Sequence, residues 1–253
     1  MTMRLRRTAL LWAIGSACRS PAGPSAAPVD TAAQADTAAG AGPAHGEHSH
    51  AMHTMHHEFK GAESWAKRFD DPARDAWQKP DEVIAWLGLA PGDVVADVGA
   101  GTGYFAMRLA KAVPQGKVLA SDIEPDMVRY LGERAAKEGI TNVVTIQGAA
   151  GDPRLGETAA AGAPTVVLLC DVAHHIADRP AFFTRVREQL APGGRVVIID
   201  FEPDAPEGAP GPPKAYRLAA SALAAELVRA GLVVSREDHE LLPYQYLLEL
   251  RAD

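Results

Sequence analysis

The chain has 253 residues, enough for one large or two small domains, and 47% of them are hydrophobic, which supplies a core and excludes a chain disordered throughout. A formal net charge of -7 excludes the uniformly basic surface of a general nucleic-acid binder, so no nucleic-acid partner is expected. Two cysteines, Cys18 and Cys170, lie in unlike surroundings and define neither a disulfide framework nor a cysteine metal site.

Residues 1–19 have the layout of a secretory leader: Arg4, Arg6 and Arg7, then an apolar run from Thr8 to Ala17 that is too short to span a bilayer. The stretch GSAC at Gly15 to Cys18 resembles a bacterial lipoprotein cleavage site, with Gly15 where a leucine is usual. Export to the envelope, with a membrane tether through the N-terminus, is therefore one expectation, and a cytoplasmic chain with a ragged start is its alternative. Residues 20–62 are rich in Ala, Pro, Gly and Thr, with little to bury, and read as a flexible tether. Within it, HGEHSHAMHTMHH gathers His45, His48, His50, His53, His56 and His57 with Met52 and Met55, ligands suited to copper, nickel or zinc. A solvated linker is the competing reading, because no cysteine or acid at fixed spacing closes a site around His48, His50, His53, His56 and His57.

From residue 63 to 253 a single domain is expected. The segment WAKRFDDPARDAWQKP, Trp65 to Pro80, is polar with aromatics; Trp65, Phe69, Arg74 and Trp77 are candidates for a lid over a site, or the segment covers one sheet edge. DEVIAWLGL is amphipathic at helical spacing, and then strand and helix alternate: DVVADVG strand, YFAMRLAKAV helix, KVLASD strand, EPDMVRYLGERAAKEG helix, VVTIQG strand. TVVLLCD, RPAFFTRVREQL, RVVIIDF and AYRLAASALAAELVRAG continue the alternation, and LVVSREDHE with YQYLLELR closes the chain as an antiparallel hairpin on the sheet edge. Near-continuous apolar strands alternating with helices predict an α/β, doubly wound Rossmann-like sheet, mostly parallel. Ligands in such sheets sit outside the strands' carboxyl ends, where Asp97, Asp122, Asp152, Asp171 and Asp200 fall.

The turn DVGAGTGYF is the sharpest signal. A dinucleotide turn needs Gly-x-Gly-x-x-Gly, and here Gly99, Gly101 and Gly103 bring the third glycine one residue early. Asp97, on the strand just before the turn, would repel a pyrophosphate but suits a ligand with an ammonium group. S-adenosyl-L-methionine has that ammonium, a sulfonium and no phosphate. Asp122, 25 residues past Asp97, is placed for ribose hydroxyls, and Asp152 is a candidate acceptor for an adenine amino group.

VVADVGAGTGYFAMRLA, VLASDIEPDMV, VVLLCDVAHHI and LAPGGRVVIIDFEP together resemble the successive motifs of class I S-adenosylmethionine-dependent methyltransferases, from about Pro80 to the C-terminus. The resemblance implies a seven-stranded sheet with its last strand antiparallel. It places Gly99, Ala100, Gly101 and Gly103 along the methionine and ribose, Asp122 on the ribose hydroxyls and Ile123 on the adenine. Many members carry an acid directly after the glycine of the third strand; here Gly148 is followed by AAGD, so Asp152 is the acid nearest that role. Asp171 is a candidate for the cofactor site at the edge of the acceptor pocket. His174 and His175 are candidate general bases, since an imidazole titrates near neutrality. A small-molecule acceptor is expected, with oxygen, nitrogen, sulfur, carbon and metalloid acceptors all open. Two rivals stand beside an enzyme: an envelope-tethered, non-catalytic ligand or metal-binding protein on this fold, and a nicotinamide-dependent oxidoreductase, which Asp97 and the glycine spacing disfavour. Export conflicts with the enzyme, because S-adenosylmethionine is not expected to be plentiful outside the cytoplasm.

Overall fold

Apolar runs of five to seven residues build the sheet. In the computed structural model, which describes residues 61–253, β1 (Val94–Val98), β2 (Lys117–Asp122), β3 (Val143–Gln147), β4 (Val166–Cys170) and β5 (Arg195–Phe201) run parallel. β6 (Leu232–Asp238) and β7 (Gln245–Ala252) complete a seven-stranded sheet in the order β3-β2-β1-β4-β5-β7-β6. The doubly wound sheet is as expected, and β7 is antiparallel to both its neighbours. The closing hairpin lies on the sheet edge as expected, with its second strand on the inner side, between β5 and β6. Burial explains the order. Residues Gln245 to Leu250 are all buried, whereas Val234 to Glu237 are exposed, so the polar strand takes the edge. A register shift between Val234 and Arg236 and the charges of Arg236, Glu237 and Asp238 protect that edge from further pairing.

The helices are α1 (Ala62–Phe69), α2 (Asp75–Gln78), α3 (Pro80–Leu87), α4 (Ala106–Ala112), α5 (Pro125–Lys137), α6 (Arg179–Gln189) and α7 (Ala220–Leu227). Trp86 and Leu87 of α3, Leu109 of α4 and Leu131 of α5 pack on one face of the sheet. Phe182, Phe183 and Val186 of α6 with Leu223 and Leu227 of α7 pack on the other. The chain winds from β1 outward to β2 and β3, then returns to place β4 on the other side of β1, which opens a crevice at the carboxyl ends of β1 and β4.

The helix expected from Ala215 to Gly231 is shorter. Lys214–Tyr216 form a 3-10 turn, the backbone is extended at Arg217 and Ala219, and α7 starts only at Ala220. Arg217 accounts for the break, because its guanidinium donates to the carbonyls of Pro212, Glu202 and Ala205 and pins the preceding loop together. The leader at 1–19, the tether up to residue 60, and the candidate metal ligands His48, His50, His53, His56 and His57 lie outside the described residues.

The segment before β1 is a strap. Ala62 N–H donates to Asp126 of α5 at 2.7 Å, Arg134 of α5 donates to Asp70 at 2.9 Å, and Lys79 reaches the Leu241 carbonyl at 2.9 Å beyond β6. α1 and α2 therefore cross the carboxyl ends of the strands from α5 toward β7.

Arg179, the first residue of α6, is buried and joins the two helices beneath the site: Nε and Nη2 donate to Glu226 of α7 at 2.6 and 3.1 Å, and Nη1 to the Ile176 carbonyl at 3.0 Å. Replacing it leaves Glu226 and that carbonyl without a partner in a largely dry setting. Arg179→Met is expected to lower stability by about 2–3 kcal/mol, read as a shift of the urea midpoint at constant m-value; a loss below about 0.5 kcal/mol would show that the pair contributes nothing net.

Candidate functional site

The glycine turn leaves β1 with positive φ at Gly99 (74°) and Gly101 (54°), a region closed to most L-residues. The strand below holds it: Gly99 and Ala100 N–H groups donate to the Ser121 carbonyl at 2.8 and 3.1 Å, and Gly101 N–H to Asp122 Oδ2 at 2.8 Å. Space is as restrictive as φ, since a Cβ on Gly99 would lie 2.3 Å from Val172 Cγ2. The turn is thus a narrow cradle between the ends of β1, β2 and β4.

Asp97 stands behind the cradle, only 3% exposed. Its Oδ2 has no hydrogen-bond partner. Burial, then the charge of Asp122, push its pKa up from the usual carboxylate range to about 7, against the Ala106 N–H and the Arg74 charge. A buried carboxylate oxygen without a donor is a standing demand for a cation. Asp122 is better served. Its Oδ2 accepts from Gly101 N–H and its Oδ1 from Glu124 N–H at 2.9 Å, and burial raises its pKa. A carboxylate offers about four lone-pair positions, so two stay available for a pair of vicinal hydroxyls. Ile123 follows, 54% exposed, a large aliphatic side chain beside that carboxylate. The cradle, the orphaned Asp97 oxygen and the half-served Asp122 fit a ligand with an ammonium at one end and a ribose at the other.

Asp152 lies in the loop after β3. Its Oδ1 accepts from Arg154 N–H at 2.7 Å and from Gln189 of α6 at 3.0 Å, so it shapes the loop after β3 and ties that loop to α6. Gly148 N–H bonds the Asp122 carbonyl at 2.9 Å, which keeps residues 148–152 beside the end of β2.

Across the crevice, Asp171 follows β4 with φ of 61°, strained for a residue with a side chain. The strain is held by contacts: Oδ2 accepts from Arg74 Nη2 at 3.2 Å and Oδ1 from Gln245 Nε2. Gln245 in turn accepts from Gln78 Nε2 at 2.7 Å, and Gln78 Oε1 accepts from Arg74 at 3.1 Å. Strap, β4 and β7 are thereby closed into one ring of four side chains. Burial raises the Asp171 pKa to about 6, opposed by Arg74 and Gln245 and aided by Asp200. Cys170 lies next to it, and burial pushes its thiol well up, away from a reactive thiolate.

His174 and His175 sit on a 3-10 turn after β4. His174 is 5% exposed; its Nδ1 lies 2.9 Å from Asp200 Oδ1 and 3.1 Å from Oδ2, and its backbone N–H donates to the same carboxylate at 3.2 Å. Burial works against the imidazolium, but the Asp200 bond, the Asp200 charge and Asp171 outweigh it and raise the His174 pKa. Facing a carboxylate, Nδ1 carries the hydrogen in the neutral ring, which leaves Nε2 basic. The aspartate bond falls to His174, and His175 packs against its ring at 4.2 Å between centroids. Tyr246, opposite Asp200 in the β5–β7 register, buries a hydroxyl with no partner.

The structure thus brings together Asp97, Gly99, Ala100, Gly101, Gly103, Asp122 and Ile123 on one side and Asp171, His174, His175 and Asp200 on the other. Gln78, Gln245 and Tyr246 were not among the residues expected; a glutamine carries no motif, and Gln78 and Gln245 are joined only by the fold. Among the described residues no group of three His, Cys, Asp or Glu is arranged to hold a metal ion.

The family described as "Methyltransferase domain" matches residues 89–232, more than half of the chain. A crystal structure of an S-adenosylmethionine-dependent methyltransferase from Aquifex aeolicus superposes with a TM-score of 0.66 at 26% identity, covering 74% of this chain and 96% of that one. An arsenite methyltransferase of Halobacterium salinarum is 32% identical over 127 residues, covering 48% of this chain and 30% of that relative. A protein-L-isoaspartate O-methyltransferase of Aeropyrum pernix is 36% identical over 132 residues, covering 48% of this chain and 44% of its own. The chain therefore spans less than half the length of these curated relatives. With the motif order, the sheet order and the cradle in agreement with these matches, the chain belongs to the class I S-adenosylmethionine-dependent methyltransferase family.

Proposed function

We propose that this domain binds S-adenosylmethionine across the ends of β1 and β2 and directs its methyl group to a small-molecule acceptor seated by the ends of β4 and β5. The observation that carries this reading is Asp97: a buried carboxylate with an unpartnered oxygen, behind a glycine cradle, asks for a cation and repels a phosphate. Asp97 would take the cofactor ammonium, Asp122 the ribose hydroxyls and Ile123 one face of the adenine. The cofactor supplies a methyl group on a sulfonium, which departs as a neutral thioether.

The chain's own work is then positioning and proton removal. Holding the acceptor in line with the methyl group accounts for most of the acceleration in such a displacement. Where the acceptor arrives protonated, His174 Nε2 takes the proton while Nδ1–H stays bonded to Asp200, which orients the ring and stabilises its charged form. The strap covers the edge and excludes water, so the methyl group is not lost to hydrolysis. A buried dyad under a strap favours a small acceptor over the exposed face of a polymer, and the acidic chain offers nucleic acid no basic track. Among the relatives, the arsenite enzyme acts on a small species and the isoaspartate enzyme on protein, and the buried dyad sides with the first.

Two experiments test this. Asp97 has a raised pKa of about 7, so an ammonium must displace its proton below neutrality. By calorimetry, S-adenosylhomocysteine is expected to bind wild type about tenfold or more weakly at pH 5.5 than at pH 8. Asp97→Asn should bind at least about thirtyfold more weakly at pH 8, with little pH dependence. In the unliganded protein the raised value acts in the opposite sense. Stability from Asp97 is complete below about 4, the ordinary carboxylate value, and is lost as pH rises through about 7, so Asp97→Asn should be the more stable protein at pH 8. Wild-type affinity retained in Asp97→Asn at both pH values would remove this carboxylate from the cofactor site.

For the second, methyl transfer is followed over a panel of phenol, amine, thiol and arsenite acceptors. With the acceptor that turns over, His174→Ala should lower kcat by about 10²–10⁴ and leave cofactor affinity unchanged. In wild type kcat should rise with pH through a value above the ordinary 6.5 of histidine, because the base acts neutral and Asp200 holds its proton on; Asp200→Asn should move that inflection to lower pH. A kcat that ignores His174 would mean the acceptor arrives already deprotonated or uses another base.

A further inference from the structure

The strap lies ahead of the region shared with the family, which begins at residue 89, so the family match assigns none of its residues a role. Arg74, on that strap, has a side chain only 14% exposed. Its Nη2 is 3.2 Å from Asp171 Oδ2 and 3.9 Å from Cys170 Sγ, its Nη1 donates to the Phe69 carbonyl at 3.2 Å, and its Nε lies 3.3 Å from Gln78 Oε1. The guanidinium stacks 4.0 Å from the Tyr104 ring centroid, immediately after the glycine turn. Phe69, whose carbonyl it holds, has its own ring beside Gly101, 3.5 Å from where a Cβ there would be. Arg74 is therefore fixed beside the glycine turn.

These bonds hold the guanidinium without saturating it. A guanidinium has five N–H groups, and the oxygen contacts of Arg74 take Nε–H, one on Nη1 and two on Nη2, which leaves one Nη1–H over. Every oxygen contact of Arg74 is between 3.1 and 3.3 Å.

We propose that Arg74 is the residue that recognises the α-carboxylate of the bound cofactor. The proposal rests on the cofactor site described above. The ammonium and carboxylate of the methionine moiety share one carbon, so drawing the ammonium to Asp97 delivers the carboxylate to the same neighbourhood. Asp97, Asp122, Asp171 and Asp200 already stand there, and an unpartnered fifth carboxylate would be repelled. Arg74 faces the crevice from the strap and supplies the missing countercharge. Because Gln78 and Phe69 tie the guanidinium to the strap, the amino-acid end of the cofactor also holds the strap down, which an adenosine moiety alone does not do.

The test compares S-adenosylmethionine with its decarboxylated form, which keeps the ammonium, sulfonium and adenosine and lacks only the carboxylate. Both are titrated by calorimetry into the full-length wild-type chain, Arg74→Gln and Arg74→Lys. Wild type is expected to prefer S-adenosylmethionine by about 10- to 100-fold. Arg74→Gln should weaken S-adenosylmethionine by about that factor, leave the decarboxylated ligand within about twofold and so erase the preference, while Arg74→Lys should keep part of it. An equal loss for both ligands would make Arg74 a brace of the strap and overturn the proposal. So would a preference that survives in Arg74→Gln, or no preference in wild type. Wild type binding neither ligand would instead sink the cofactor site itself, and the proposal with it.

Discussion

Four carboxylates, Asp97, Asp122, Asp171 and Asp200, meet at the carboxyl ends of β1, β2, β4 and β5, and their mutual repulsion is the constraint to which the surrounding structure answers. In a setting drier than water, like charges a few ångströms apart cost several times what they do at a surface. Each is compensated by a different device. Asp122 accepts from the backbone N–H groups of Gly101 and Glu124; Asp200 is capped by His174 and by its neighbour's N–H, that of Phe201, at 2.8 Å. Asp171 draws Arg74 and Gln245 onto itself, and with them the strap and β7. Asp97 alone keeps an oxygen without a donor, and its carboxyl is driven toward the neutral form.

That unequal treatment divides stability from function. Asp122 and Asp200 are satisfied within the domain and give it a fixed frame. The deficit at Asp97 lowers the stability of the protein at neutral pH and leaves one buried oxygen without a donor. The positive φ at Asp171 belongs to the same logic: a strained backbone persists because Arg74, Gln245 and Gln78 hold its side chain from two other elements. The dyad is rigid for a simpler reason. β4 and β5 are hydrogen-bonded neighbours, so the turn after one delivers His174 to a carboxylate in the other, and Arg179 locks that turn to α6 and α7.

Closure over the crevice comes from the segment before the shared fold. Tyr104 OH donates to Asp75 at 2.5 Å, and Arg74 and Arg108 both stack on the Tyr104 ring, so the glycine turn is bound to the strap through its own first aromatic residue. The cradle and its cover are parts of one structure, although 29 residues separate Asp75 from Tyr104. Phe69 and Arg74 of the strap therefore lie directly beside the glycine turn.

Much of this was legible in the sequence. Apolar runs such as VVADV and VVLLC read as strands of a parallel sheet, the short Gly99-Gly101-Gly103 spacing with Asp97 before it departs from a dinucleotide turn, and Asp122 and Ile123 follow at the end of the next strand. These are local facts, set by side-chain size, β-branching and the sign of a charge beside a turn. What the chain could not reveal alone was which distant groups would meet. The extended break before α7 depends on Arg217 finding three loop carbonyls, and the inward place of β7 depends on the relative burial of two strands that look alike in isolation. Asp152 carries no local sign that Gln189 will claim it. The choice of His174 over His175 turns on a carboxylate 26 residues away, and the ring of Arg74, Asp171, Gln245 and Gln78 joins positions up to 167 residues apart. Such pairs are settled by packing and by the need to neutralise buried charge, which act only once the sheet has brought the strand ends together.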